Sequence, residues 1–212
     1  MRSLYLPLIF LTVALSTSTS GFAQKQKIRF PLWTFHQRNV DIYGVSLGFF
    51  STVSQKNTTT NGLKIELIGL GLAGLMIPES PVAGDNDGFT TAMSEAGTDQ
   101  VNGIQLATTG SVCHCDVQGL SLGGMLHIHR RINGISAAFV MNFSQEHNGL
   151  QLAIINSAYE MSGLQFGFGN QAQRMRGVQF GLLNQSSDTR GLQVGLWNVN
   201  EKRKLPLINW SF

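Results

Sequence analysis

The sequence predicts an all-β protein built as a repeat array, with a parallel β-solenoid as the leading architecture. Three observations carry this expectation. Units that open on Gly recur along the chain and settle to a spacing of 14 residues toward its C-terminal end. Within each unit apolar and polar residues alternate. An Asn returns at the same place in five successive units.

The units begin at Gly44, Gly62, Gly103, Gly119, Gly134, Gly149, Gly163, Gly177 and Gly191. The last four starts are 14 residues apart, and the gaps before them are 15, 15, 16, 41 and 18. Position two is aliphatic throughout, from Val45 to Leu192, and position four is apolar throughout, from Leu47 to Val194. Position three is polar: Ser46, Lys64, Gln105, Ser121, Ser136, Gln151, Gln165, Gln179 and Gln193. Strict alternation is the period of a strand, whose side chains point to opposite faces in turn. In the last four units position five is small (Ala153, Gly167, Gly181, Gly195), and position six is apolar (Ile154, Phe168, Leu182, Leu196).

Asn142, Asn156, Asn170, Asn184 and Asn198 follow one another at intervals of 14. Asn suits turns in general, but so do Asp, Gly and Ser. An unvarying Asn suggests a side chain that meets its own copies, because amides stacked in a column bond one another. Such stacking requires units related by translation. Each coil then holds a Gly-aliphatic-Gln strand, an Asn corner, and a shorter second side. Ala158 with Met161, and Ala172 with Met175, are the expected inward residues of that side.

Two alternatives stay open at this point. Asn-Gly pairs at 61–62, 102–103, 133–134 and 148–149 are strong hairpin signals and fit an antiparallel meander. The ending Ile208, Trp210, Phe212 fits the last strand of an outer-membrane β-barrel. Against the barrel, Pro206 falls where that strand should pair. A spanning strand of about 9–11 residues also leaves little of a unit for turns.

Residues 1–23 read as a signal peptide: Arg2, an apolar run from Leu4 to Leu15, and small Gly21 and Ala23 before the cut. Residues 24–212 then form a single β-repeat domain. Within it, 24–43 is the expected N-terminal cap, with Phe30, Trp33, Phe35 and Tyr43 hiding the open end of the array. Residues 77–101 form a loop insertion rich in Pro, Gly, Asp and Asn, and 199–212 a C-terminal closing segment. An exported product belongs to the periplasm, the outer membrane or the cell surface.

Charged residues make up 13% of the chain and the net charge is +3. With no basic stripe interleaved with aromatics, nucleic acid is not an expected partner. No nucleophile elbow is present. The glycines of residues 69–74 lack the strand–helix setting that a dinucleotide loop needs. The expectation is therefore a protein that is not an enzyme and needs no cofactor. Asp85, Asn86, Asp87 and Gly88 lack the spaced ligands of a calcium loop.

One group has the residue types of a metal site: Cys113, Cys115, His127 and His129. On strands the two thiols share a face, as do the two imidazoles, and zinc takes such a set. In unit coordinates Cys113 aligns with His129. The plainer alternative is two cysteines paired or free in an exported protein, with surface histidines. The expected binding face is different: Gln151, Gln165, Gln179 and Gln193, with the small residues at position five, forming a flat polar ribbon for an envelope protein or a glycan.

The tandem units GLQFG, GVQFGLLN and GLQVGLWN, the opening WTFHQRNVDIYGVSLG and the ending GLWNVNEKRKLPLINWSF resemble a family of exported bacterial surface repeat proteins. The family is described by its repeats rather than by an activity. The resemblance spans about residues 30 to 212 and implies the envelope of a Gram-negative bacterium. It implies no catalytic residues and does not extend to the Cys-His-Cys stretch or to the loop after Ile77.

Overall fold

The computed structural model describes residues 26–51, 56–74, 76, 80–94 and 99–212. The signal peptide expected at 1–23 lies outside them. Most of the chain is strand: β1 (Lys27–Arg29), β2 (Leu32–Thr34), β3 (Val40–Gly48), β4 (Thr58–Glu66), β5 (Asp99–Ala107), β6 (Cys115–Gly123), β7 (Leu126–Ala138), β8 (Met141–Leu152), β9 (Ile155–Phe166), β10 (Gly169–Phe180), β11 (Leu183–Val199) and β12 (Lys204–Ser211). Each strand from β3 to β10 pairs in parallel with the next, and the stacked coils make a β-solenoid. Both alternatives fall with this register: neighbouring coils run in the same direction and the sheet does not close into a barrel.

Like residues sit over like residues. Gly163 pairs with Gly149 and Gly177, Gln165 with Gln151 and Gln179, and Asn170 with Asn156 and Asn184. The leading Gly of each unit has a reason. At Gly177 φ is +133°, a conformation that residues with a Cβ rarely adopt, and an added Cβ would lie 2.1 Å from the carbonyl oxygen of Gly163. The same approach recurs from coil to coil, so the glycines let the backbones nest at one corner.

The Asn column is a chain of amides. Asn156 Nδ2 donates to Asn170 Oδ1, Asn170 to Asn184, and Asn184 to Asn198, over 2.8–2.9 Å. Each amide also donates across the corner, as Asn170 does to the Phe180 carbonyl. The small position five makes this possible: a Cβ at Gly181 would lie 2.5 Å from Asn170 Nδ2. Asn142 stacks in register with Asn156 but departs from the chain, since its amide bonds Ser136 instead. On the short side of the coil Ala158, Met161, Ala172 and Met175 pack together inside, as the sequence led us to expect.

The ends and the insertion differ from a bare cap and loop. β1 and β2 pair in parallel with β3, and Phe35, with Trp33 beside it, packs against Val40 and Ile42, whereas Phe30 and Tyr43 are exposed and do not hide the open end as expected. β12 turns back and runs antiparallel to β11, with a register shift between Gly195 and Asn198 opposite the segment that holds Pro206. A short helix, α1 (Gly71–Gly74), precedes the insertion, and the insertion itself carries α2 (Asn86–Ser94). Asp85 accepts from the Gly88 amide at 2.8 Å, so this acidic run starts a helix. The insertion lies on the outside of the later coils: Phe89 stacks on Tyr159, Gln145 bonds Pro81 and Ala83, and Arg174 bonds Asn86.

His147 occupies the interior column that continues as Met161 and Met175. Burial pushes its imidazole down to about 4, with the Leu150 backbone pulling partly back. The unfolded chain takes up a proton near the ordinary 6.5 and the folded chain does not. Stability from this group is therefore intact above pH 6.5 and is lost as pH falls toward 4, by up to about 3 kcal/mol. His147→Met, which restores the column's own residue, should reduce the loss of denaturation midpoint between pH 7 and pH 4. An unchanged pH slope would show that His147 is not the buried base described here.

Candidate functional site

The alternation places the polar residues inside. Gln151, Gln165, Gln179 and Gln193 are each 0% exposed, so they are not the binding ribbon expected of them. They form a second amide chain: Gln165 Nε2 donates to Gln151 Oε1 at 2.8 Å, Gln179 to Gln165 at 2.7 Å and Gln193 to Gln179 at 2.8 Å. Each also donates to a carbonyl on the opposite wall, as Gln165 does to Gln171. Asn209 on β12 closes the column by donating to Gln193 Oε1. From Gln165 to Gln193 every rung donates to one neighbour and accepts from the other, while Gln151 accepts from Gln165 and donates to the Asn142 and Ser157 carbonyls, so none of these buried amides is stranded. That is why a polar core is tolerated here.

Upstream, the same columns carry ionisable groups. Position three becomes Lys64, in register with Gln105, and position five becomes Glu66, in register with Ala107. Lys64 and Glu66 form a buried ion pair at 2.9 Å. Burial works against the Glu66 carboxylate, but Lys64 and the hydroxyls of Ser51 and Ser111 together hold it below the usual range. Gln105 Nε2 donates to Glu66 Oε1 and to Ser111, and its Oε1 lies 3.2 Å from His129 Nε2. His127 takes the place of Asn in the amide column, in register with Asn142, and its Nδ1 lies near Ser121 and Ser136.

Cys113, Cys115 and His129 meet inside this segment. The bridge between Val112 and Ile128 sets Cys113 beside His129, as the unit coordinates suggested. The chain bends at exposed His114, the Cα atoms of Cys113 and Cys115 are 5.2 Å apart, and the two are joined as a disulfide. Both sulfurs and a His129 ring nitrogen lie within 4.8 Å of one another. His127 is not part of this convergent set, although its ring meets that of His129 edge-on at 4.9 Å. Neither histidine is on the surface: both are buried, and burial lowers the pKa of each, His127 to about 4.

The apolar residues of the repeat strands stand outside instead. Positions two, four and six of the later coils face outward, and Phe168 and Leu196 are 63% and 62% exposed. Phe166 stacks on Phe180 with ring centroids 5.4 Å apart. Between these rows runs an open groove of ≈ 910 Å³ lined by Phe139, Ile154, Phe168, Leu182 and Ile208, among others. β12 extends the face, because Ile208 and Trp210 pair with Val194 and Leu192 and so point the same way. The opposite side of the solenoid is charged and laced with ion pairs, including Arg174–Glu160, Arg176–Asp188 and Arg131–Glu146. Among the described residues no helix is long and apolar enough to cross a membrane. No protein-family model, no curated protein and no solved structure matches this chain.

Proposed function

We propose that this is a non-enzymatic repeat protein of the bacterial cell envelope, and that it works by laying the apolar side of its solenoid on a lipid surface. The observation that carries the reading is the uninterrupted outward row of Phe166, Phe168, Phe180, Leu182, Leu196 and Ile208. Contiguous apolar surface of this kind is rare on soluble monomers and marks interaction sites. Two further features favour lipid. Trp197 and Trp210 are exposed at the C-terminal end of the face, where indoles prefer the headgroup layer. Exposed Lys202, Arg203 and Lys204 stand at the same end, suited to anionic headgroups. The charged, ion-paired side would then face water. The export signal expected at residues 1–23 and the surface-repeat resemblance agree with an envelope location.

Flotation with phosphatidylethanolamine–phosphatidylglycerol vesicles tests this. The mature chain should float, and Phe168→Glu/Leu182→Glu/Leu196→Glu should stay in the dense fraction while keeping its β circular dichroism. A wild-type chain that ignores vesicles and forms dimers broken by the same substitutions would assign the face to self-association.

A further inference from the structure

We propose that Cys113, Cys115 and His129 form a binding site for a thiophilic monovalent cation, Cu(I), which opens when their disulfide is reduced. The three residues are 4%, 0% and 2% exposed, and their donor atoms lie within 4.8 Å of one another. A cation bound to all three at ordinary lengths of about 2.0–2.3 Å requires the sulfurs, once reduced, to swing apart on Cα atoms that are 5.2 Å apart.

The surrounding hydrogen bonds fix the state of His129. Gln105 uses its NH2 group on Glu66 at 2.9 Å and on Ser111 at 2.8 Å. Its Oε1 therefore faces His129 Nε2 and can only accept. Nε2 must carry the proton, which leaves Nδ1 with a free lone pair. Nδ1 is buried and, among the described residues, has no hydrogen-bond partner. A buried imidazole with one nitrogen tied to a polar chain and the other left open is the arrangement that metal-binding histidines use. The chain behind it runs from His129 through Gln105 to Glu66 and Lys64.

The donor set selects among metals. Two thiolates are soft ligands and imidazole is a borderline one, a set that suits Cu(I) or zinc. Zinc in a closed site takes four ligands, and His127 does not join the convergent three. The neighbours Val101, Val117 and Ile132 are apolar and buried, and the Ser111 hydroxyl lies 3.7 Å from Cys113 Sγ. A three-ligand, buried, sulfur-rich site fits Cu(I).

The chemistry balances in two steps. A dithiol reductant transfers two electrons and two protons to the Cys113–Cys115 bond, giving two thiols and the cyclic disulfide of the reductant. Cu(I) then binds both sulfurs and His129 Nδ1 and displaces the two thiol protons. In the oxidised chain the sulfurs are bonded to each other and the site is closed.

The test is an anaerobic titration of the full chain, reduced with dithiothreitol and desalted, against the Cu(I)–bicinchoninate complex. The reduced chain should withdraw one equivalent of Cu(I), and the same preparation left oxidised should withdraw none. Cys113→Ser should abolish uptake and His129→Phe should weaken it by at least about tenfold, whereas His147→Met should leave it unchanged. Circular dichroism of the reduced wild type confirms that it remains folded. A folded, reduced chain that takes no Cu(I), or takes it equally when oxidised, overturns the proposal. So does a chain that binds one zinc ion in preference to Cu(I) and loses it on His127→Phe.

Discussion

Replacing Gln165, Gln179 and Gln193 together with Lys is expected to yield no folded protein. Each of these amides sits at 0% exposure and bonds both the rung beside it and a carbonyl across the interior. Three ammonium groups in one column would have no acceptor for most of their protons and would repel one another across adjacent rungs. An unpaired buried charge costs several kcal/mol, and three exceed the ~5–15 kcal/mol that holds a typical domain together. The array itself shows what a Lys in this column requires. Lys64 occupies position three on β4, and it has Glu66 at 2.9 Å and the Phe35 ring beneath it. No such partner accompanies the later rungs. Far-ultraviolet circular dichroism and urea denaturation of the purified variant check this; a cooperative transition near the wild-type midpoint would sink the account of the polar interior.

The second large effect belongs to the nested glycines. Gly177→Ala should destabilise the solenoid by about 3 kcal/mol or more, because it combines an unfavourable backbone region with overpacking. The backbone at Gly177 has φ +133°, and its new methyl would overlap the Gly163 carbonyl at 2.1 Å. Gly169→Ala is the control, since nothing lies within 4 Å of a Cβ there. Its effect should stay within about 0.5 kcal/mol, as for most surface changes. Equal midpoints for the two variants would show that the corner relaxes more easily than its geometry implies.

Much of the fold was legible in the sequence. The interval of 14, the Asn column and the leading Gly gave the coil length, the parallel stacking and one corner, because each depends on a residue meeting its own copy. The sign of the alternation was not legible. Period two fixes which residues share a face, but it does not say which face is inside. Placing Leu, Phe and Val inward follows the usual economy of burial, and here the columns of Gln reverse it. A clue was present: position three settles on one amide, Gln, over the last four units, while position four wanders through Leu, Phe and Val. An amide that must donate and accept along a stack has few substitutes, whereas an outward apolar residue has many.

The candidate site was read in part. Cys113 and His129 are neighbours because the unit coordinates align them. Cys115 joins them through the bend at His114, while His127 follows the Asn column instead. The sequence places Lys64 and Gln105 in the polar row but gives no sign of their contacts with Glu66, because those contacts depend on burial. The helix at 86–94 was hidden by a segment rich in turn-forming residues, and its start becomes evident only with the Asp85 cap.

The reversed direction of β12 bears on how this molecule behaves among its copies. Amide columns repeated at every rung are what cross-β filaments use to recruit further chains, and an end that displayed β11 would template one more parallel coil. Here Asn209 saturates the last Gln, and a strand of opposite polarity covers the growing end. Deleting 204–212 would uncover β11 and the last Gln at one end while β1, β2 and Phe35 still cover the other, so the truncated chain should self-associate through that single end, as analytical ultracentrifugation would show.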